Sequence, residues 1–341
     1  MFEDPTQWLV VGGLVLGAIF GFITRQFRVC LVNAVSSVSL IKDYRYALLF
    51  AVAALVAITG TQLLEIYDIV DIEKAAYRDT RLDWLGVIIG GLIFGIGATL
   101  AGGDAARIVI LAGNGNHAGW VAVFFFAIFA SVAQFGLLES FRVASMLNTS
   151  ITVTNDAGLA TLLSAPSWLV LIVIDVLLIG FIFTQWKKHA EIKLLLAGAL
   201  LGATVIAAWY TTGVLAVDEF APPKSPSAMT VSGPMSRTGI MIVAGQYPAF
   251  SFSVAFVVAL LAISFLVALV TRQFSFTPIK GSVGKVALGG SLMGVGGTLA
   301  YGCNIGQGYS GLSTLSLESI LAVIAMIAGI HLTTRYLEKN S

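Results

Sequence analysis

The chain has 341 residues, 57% of them hydrophobic and only 11% charged, with a mean hydropathy of +0.92. Soluble domains carry roughly 25% charged residues, so this composition cannot cover a water-facing surface, and the chain reads as an integral membrane protein. Nineteen basic against 18 acidic side chains exclude a nucleic-acid partner, which is held through clustered Lys and Arg. The two cysteines, Cys30 and Cys303, and the scattered His117, His189 and His331 encode neither a disulfide framework nor a zinc site. No metal and no cofactor are expected.

In chain order, the start Met-Phe-Glu-Asp-Pro-Thr-Gln lacks the basic stretch of a secretory signal, and an uncleaved first span is expected over Trp8–Thr24. A short apolar segment follows from Val29 to Ile41. Further spans are predicted over Tyr46–Leu64 and Trp84–Ala101, then a short segment from Gly103 to Gly113, and spans over Ala118–Leu138, Ser167–Trp186 and Leu194–Thr212. A third short segment covers Thr238–Gln246. Spans over Ala249–Thr271 and Val286–Tyr301, a fourth short segment over Cys303–Leu315 and a last span over Ser319–Thr334 complete the order. The four short segments are the length of re-entrant half-helices, whose non-helical tips are tolerated only in protein or beside a wet cavity.

Nine spans put the termini on opposite sides. Thirteen basic residues (Arg25, Arg28, Lys42, Arg45, Arg107, Lys187, Lys188, Lys193, Arg272, Lys280, Lys285, Arg335 and Lys339) fall on one side, against Lys74, Arg78, Arg81, Arg142, Lys224 and Arg237 on the other. The positive-inside rule then places the N-terminus outside and the C-terminus in the cytoplasm.

A repeat offset by 199 positions runs through the chain. Gly90-Gly91 to Gly103-Asp104 matches Gly289-Gly290 to Gly302-Cys303, and a weaker echo relates Gly13–Ala18 to Gly198–Ala203. The third span pairs with the eighth and the first with the sixth, an odd shift that inverts direction. Two inverted halves of one membrane domain, 1–165 and 166–341, are therefore predicted. Paired broken helices of this kind meet near the midplane in transporters and offer free N–H groups to an anion. For Gly91, Gly95, Gly290 and Gly294, close helix packing is a sufficient reading. It leaves unexplained the Gly-Gly-Asp and Tyr-Gly-Cys endings, where one apolar helix stops and another starts.

The residues able to carry chemistry gather at those breaks. Cys30 and Cys303 each begin a short segment, where a thiol is either a small packing group or a soft donor and acceptor near helix-end N–H groups. Asp104 takes the repeat position of Cys303; it either pairs with Arg107 at i+3 or serves the solute pathway, the default reading for an intramembrane carboxylate. Asp175, in the fifth span, either bonds a neighbouring helix or serves an ion path. Arg25 and Arg28 either snorkel to headgroups or draw anions to the inner mouth. Asn304 and Gln307 either cap a half-helix or contact a ligand.

The Gly-Gly-x-x-x-Gly-x-Gly run that leads into Gly302-Cys303-Asn304-Ile305-Gly306-Gln307-Gly308-Tyr309-Ser310-Gly311, with the earlier Phe27-Arg28-Val29-Cys30-Leu31-Val32-Asn33-Ala34, resembles the YeeE/YedE family of sulfur transport proteins over most of the chain. The resemblance implies an hourglass-shaped inner-membrane protein that takes up thiosulfate or a related sulfur compound past cysteines at a constriction. Cys30 matches the first such cysteine and Cys303 the last. Together with the residues at the breaks, this gives an expected solute pathway of Cys30, Asp104, Cys303, Asn304, Gln307, Arg28, Arg107, Gly103 and Gly302, with a cytoplasmic sulfur-carrier protein as a candidate partner.

One position departs from the pattern: Asp104 stands where thiosulfate-uptake members have a further cysteine. An ionised carboxylate repels a passing anion by about 4 kcal/mol per pair of unit charges 4 Å apart at an effective dielectric near 20. Either Asp104 is neutralised, by protonation or by Arg107, or the solute is not thiosulfate. The expected function is thus transport of a small sulfur-containing solute. The alternative is a channel for another small anion or a neutral solute on the same scaffold. Without a Cys-x-x-Cys pair or a nucleotide-binding motif, no enzymatic activity is expected.

Overall fold

Apolar stretches in lipid must satisfy their own backbone groups, and a helix does so within one segment. The computed structural model describes residues 5–153, 156–217, 225–245, 251–279 and 281–340, and in them each of the nine predicted spans is a helix. These are α1 (Pro5–Gln26), α3 (Arg45–Ile66), α4 (Trp84–Ala101), α6 (His117–Phe135), α9 (Ser167–His189), α10 (Ile192–Tyr210), α12 (Phe252–Val270), α13 (Val283–Leu299) and α14 (Leu317–Lys339). The protein is an all-α polytopic membrane protein. Among the described residues, eight helical stretches are long and apolar enough to cross a bilayer. The exception is α13, whose 17 glycine-rich residues lie packed between α4 and α6.

Short elements form at the four predicted segments. They are α2 (Leu31–Ile41), α5 (Ala105–Gly113), α11 (Ser232–Ala244) and a π-helical turn over Gly306–Gly311. At about 1.5 Å per residue, the nine residues of α5 reach less than half of a hydrocarbon core about 30 Å thick. The segment after Cys303 is wider than an α-helix, with Ser310 donating to the Ile305 carbonyl at 3.1 Å, because its three glycines give α-helical geometry little support. The sequence did not suggest α7 (Glu139–Thr149), α8 (Leu159–Leu162) or the two-residue ribbon in which β1 (Arg81–Leu82) pairs antiparallel with β2 (Ile151–Thr152). The predicted boundaries at Gln246 and Ala249, and Lys224 and Lys280 of the charge count, lie outside the described residues.

Glycines decide how closely the helices approach. A Cβ at Gly90 would stand 2.8 Å from the Gly296 carbonyl oxygen, and one at Gly97 2.7 Å from that of Gly289. Thus α4 and α13 cross backbone to backbone. Gly91 and Gly95 face α14 at Ala322 and Met326, while Gly290 and Gly294 face α6 at Ala122 and Phe126. In lipid, where no hydrophobic force drives helices together, such small-residue contacts supply dispersion over a large backbone area. The packing reading of these four glycines is correct.

Polar ties mark the two ends of the bundle. At one end Arg25 donates to Asn114 at 3.0 Å and to Gln273 at 3.1 Å, and Arg45 pairs with Asp43 at 2.8 Å. Arg25 is thereby engaged in joining α1 to the ends of α5 and α12. At the other end the buried Arg78 pairs with Glu65 and Asp156 and donates to the Thr314 carbonyl at 3.1 Å. Within the bundle, Asp175 accepts from Thr59 of α3 at 3.0 Å, the helix-to-helix bond that was one of its two readings.

Candidate functional site

The chain reverses after α1 through Arg28, which holds a left-handed φ of 53°, and enters α2 at Cys30. The chain leaves α4 through Gly102 (φ 81°), a conformation glycine adopts without a Cβ penalty, and enters α5 at Asp104. Asp104 is the N-cap of α5, with Oδ1 accepting from the Arg107 N–H at 3.0 Å. Its Oδ2 leaves the element altogether. It accepts from the Leu31 N–H, the first of α2, at 2.6 Å and from Asn304 Nδ2 at 3.0 Å. Asn304 Oδ1 in turn accepts from the Ala105 N–H at 3.3 Å.

Three breaks in the chain therefore meet around one carboxylate. Cys30, Asp104, Asn304 and Cys303 are 1, 2, 3 and 0% exposed. Cys30 is the N-cap residue of α2, so its buried thiol stands one residue before the Leu31 N–H that Asp104 accepts. Every neighbour of Asp104 is a donor, which suits an acceptor-only carboxylate. The N-terminal ends of α2 and α5 add their partial positive charge. Among the described residues the carboxyl oxygens are thus held by oriented N–H donors and not by a basic side chain.

No ion pair joins Arg107 to Asp104 among the described residues; the contact runs through the Arg107 backbone N–H. Gly103 makes room for the Arg107 stem, since a Cβ there would sit 2.6 Å from Arg107 Cγ. Gly302 does the same for Gln307, at 2.9 Å from Cγ. The Gln307 amide is engaged within the protein, donating to the Ala300 carbonyl at 2.6 Å and accepting from Ser319 at 2.5 Å. Asn304 caps a half-helix as one reading expected, but the helix is α5, distant in sequence. Arg28 is exposed and lines a cavity of about 230 Å³ with Arg45 and Glu191.

Beyond Gln307 a second cavity, of about 460 Å³, is lined by Tyr77, Thr230, Ser232, Tyr301 and Glu318 among others. Burial pushes the Tyr77 phenol well above its ordinary range, with Cys303 and then Glu318 adding to the shift, so it remains a donor at neutral pH. None of these lining residues was picked out from sequence. A hydroxyl or carboxylate that lines a cavity only because distant segments converge leaves no local pattern.

A polytopic helical bundle with buried polar groups where helices break, and with cavities lined in part by polar side chains, is the architecture of a membrane transporter. The sulphur transport family model matches residues 26–332, and the chain belongs to that family of membrane proteins, whose function is the transport of a sulfur solute. It is 26% identical to the thiosulfate transporter TsuA of Escherichia coli (strain K12) over 344 residues, covering 94% of this chain and 93% of that protein. It is 27% identical to the thiosulfate transporter TsuA of Spirochaeta thermophila over 342 residues, covering 93% and 96%.

Proposed function

We propose that this protein carries thiosulfate, or a small sulfur compound of similar size, across the cytoplasmic (inner) membrane past Cys30, Asp104 and Cys303. The observation that carries the reading is the junction itself. A carboxylate and a carboxamide are hydrogen-bonded to each other and to two helix N-termini inside an apolar bundle, with a buried thiol at the start of one of those helices. Burying polar groups costs free energy, and a bundle needing only stability would fill this place with apolar side chains. Collinearity with the two transporters over more than nine-tenths of the chain supports a solute of the same class.

In this reading the halves 1–165 and 166–341 are inverted repeats. Reciprocal packing supports this: Gly90 meets Gly296 while Gly97 meets Gly289, and both contacts exchange positions under the 199-residue offset. The short helices α2, α5 and α11 and the turn after Cys303 are re-entrant, and the narrowing between the two cavities is the waist of an hourglass. With the basic side of the chain, including Arg25, Arg45 and Arg335, facing the cytoplasm under the positive-inside rule, the C-terminus is cytoplasmic and the N-terminus outside. A cytoplasmic sulfur-carrier protein would receive the solute there. The protein moves its solute chemically unchanged and is not an enzyme.

One observation favours a second reading, a channel for a neutral or singly charged solute: among the described residues Asp104 has no basic side chain within ion-pair distance. Uptake of 35S-thiosulfate by proteoliposomes containing the purified protein tests both. Saturable uptake competed by unlabelled thiosulfate supports the first. No uptake of thiosulfate, together with uptake of an uncharged thiol or of hydrogen sulfide, supports the second and overturns the first.

A further inference from the structure

Tyr309 lies in the turn after Cys303, and neither cysteine chemistry nor helix packing accounts for it. Its side chain is 3% exposed, yet its hydroxyl has no hydrogen-bond partner among the described residues. A buried Tyr O–H ordinarily finds a partner, because an unmatched polar group forfeits the hydrogen bonds it made in water. Its backbone N–H donates to the Ile305 carbonyl at 3.0 Å, one residue on from Asn304, and its ring shares one core cluster with Cys30, so the residue stands a single helical turn from the junction. Its ring is held edge-on by Phe20 at 5.7 Å and tilted against Phe50 at 5.6 Å. Those two phenylalanines come from α1 and α3, and Phe20 in turn rests on Phe256 of α12 at 5.4 Å. The ring is therefore fixed and only its hydroxyl is uncommitted.

Resting on the sulfur-transport reading, we propose that Tyr309 is a specificity-determining residue: its hydroxyl donates a hydrogen bond to the solute as the solute passes Cys30. A neutral donor suits this place. Beside the Asp104 carboxylate a cation would form an ion pair and trap either the carboxylate or the anion. A phenol binds an oxyanion or terminal sulfur directionally and releases it without a charge imbalance. The collar of Phe20 and Phe50 keeps water from competing for the same hydrogen.

Tyr309→Phe keeps the ring and removes the hydroxyl, and its test reads two quantities in the full-length protein. In proteoliposomes the half-saturation concentration for 35S-thiosulfate should rise about tenfold or more, the range for one hydrogen bond to a charged group, with the maximal rate kept within about twofold. The detergent-solubilised variant should melt at the same temperature as the natural protein or up to about 3 °C higher, because an unmatched buried hydroxyl is gone. An unchanged half-saturation concentration, with normal uptake by the natural protein, overturns the role of Tyr309 and leaves the sulfur-transport reading standing. A fall in melting temperature with unchanged half-saturation identifies a purely structural hydroxyl and overturns it likewise. Absence of thiosulfate uptake by the natural protein overturns the reading on which the proposal rests.

Discussion

Asn304 donates to Asp104 at 3.0 Å while accepting the N–H of Ala105, the residue after Asp104, at 3.3 Å. One carboxamide thus ties a break in the second part of the chain to the start of α5 in the first. Asn304→Ala leaves a buried N–H without a partner and Asp104 one donor short. It should lower stability by about 1–3 kcal/mol, read as a lower melting temperature in detergent. Asn304→Asp should be worse, because it sets two carboxylates side by side.

The same geometry makes the Asp104 variants informative. Asp104→Asn turns one acceptor oxygen into an NH2 group facing N–H donors, so a loss of about 1–3 kcal/mol is expected. Uptake of an anion should nevertheless persist, at a lower half-saturation concentration, since the repulsive charge is removed. Asp104→Cys should behave similarly with the thiol facing the solute. Abolished transport in Asp104→Asn with retained transport in Asp104→Glu would show that the charge itself is required and would favour a cationic or proton-linked solute.

Cys303→Ala should fold normally, because a thiol is small and large cavity losses belong to bulkier side chains. Its uptake should fall to background. Normal uptake by a well-expressed variant would return Cys303 to a packing role.

Helix approach can be tested apart from transport. Gly90→Ala places a Cβ 2.8 Å from the Gly296 carbonyl oxygen and 2.5 Å from the Ala300 nitrogen. Forcing α4 from α13 should cost about 1–3 kcal/mol. Gly180→Ala meets nothing within 4 Å and should raise stability by about 0.5–1 kcal/mol through helix propensity alone. Paired melting curves check the contrast.

Outside the spans, the hydrogen bonds and charge of Arg45 hold the Asp43 carboxyl below its ordinary range against a smaller opposing effect of burial. A carboxyl depressed in the folded state stabilises above its unfolded pKa, near 3.9, and the benefit is lost as pH falls through the folded value. The protection of the turn 42–45 against amide exchange, relative to the intrinsic rate at each pH, should therefore fall below about pH 4 in the natural protein. In Asp43→Asn the exchange should already be faster at neutral pH and respond less to acid.

The nine helices and the short segments between them were legible in the sequence, because the bilayer demands runs of about 20 apolar residues and leaves shorter runs no way to cross. The breaks were legible too, since Gly102-Gly103-Asp104 and Gly302-Cys303-Asn304 interrupt apolar runs with residues that end and restart helices. Membership of a sulfur transport family followed from motifs that occupy those same breaks. Only the tertiary structure decided which partner each polar group takes. Asp104 binds Leu31 and Asn304 through contacts 73 and 200 positions apart in sequence and takes only the backbone N–H of Arg107, three residues away. Helical spacing brings Arg107 within reach but does not orient it, and the N–H groups of two converging helix ends, already fixed in place, satisfy the carboxylate without ordering a long side chain. Tyr309 was hidden for the complementary reason. An aromatic residue in an apolar segment reads as core, and its uncommitted hydroxyl is visible only once the helices carrying Phe20 and Phe50 have closed around its ring.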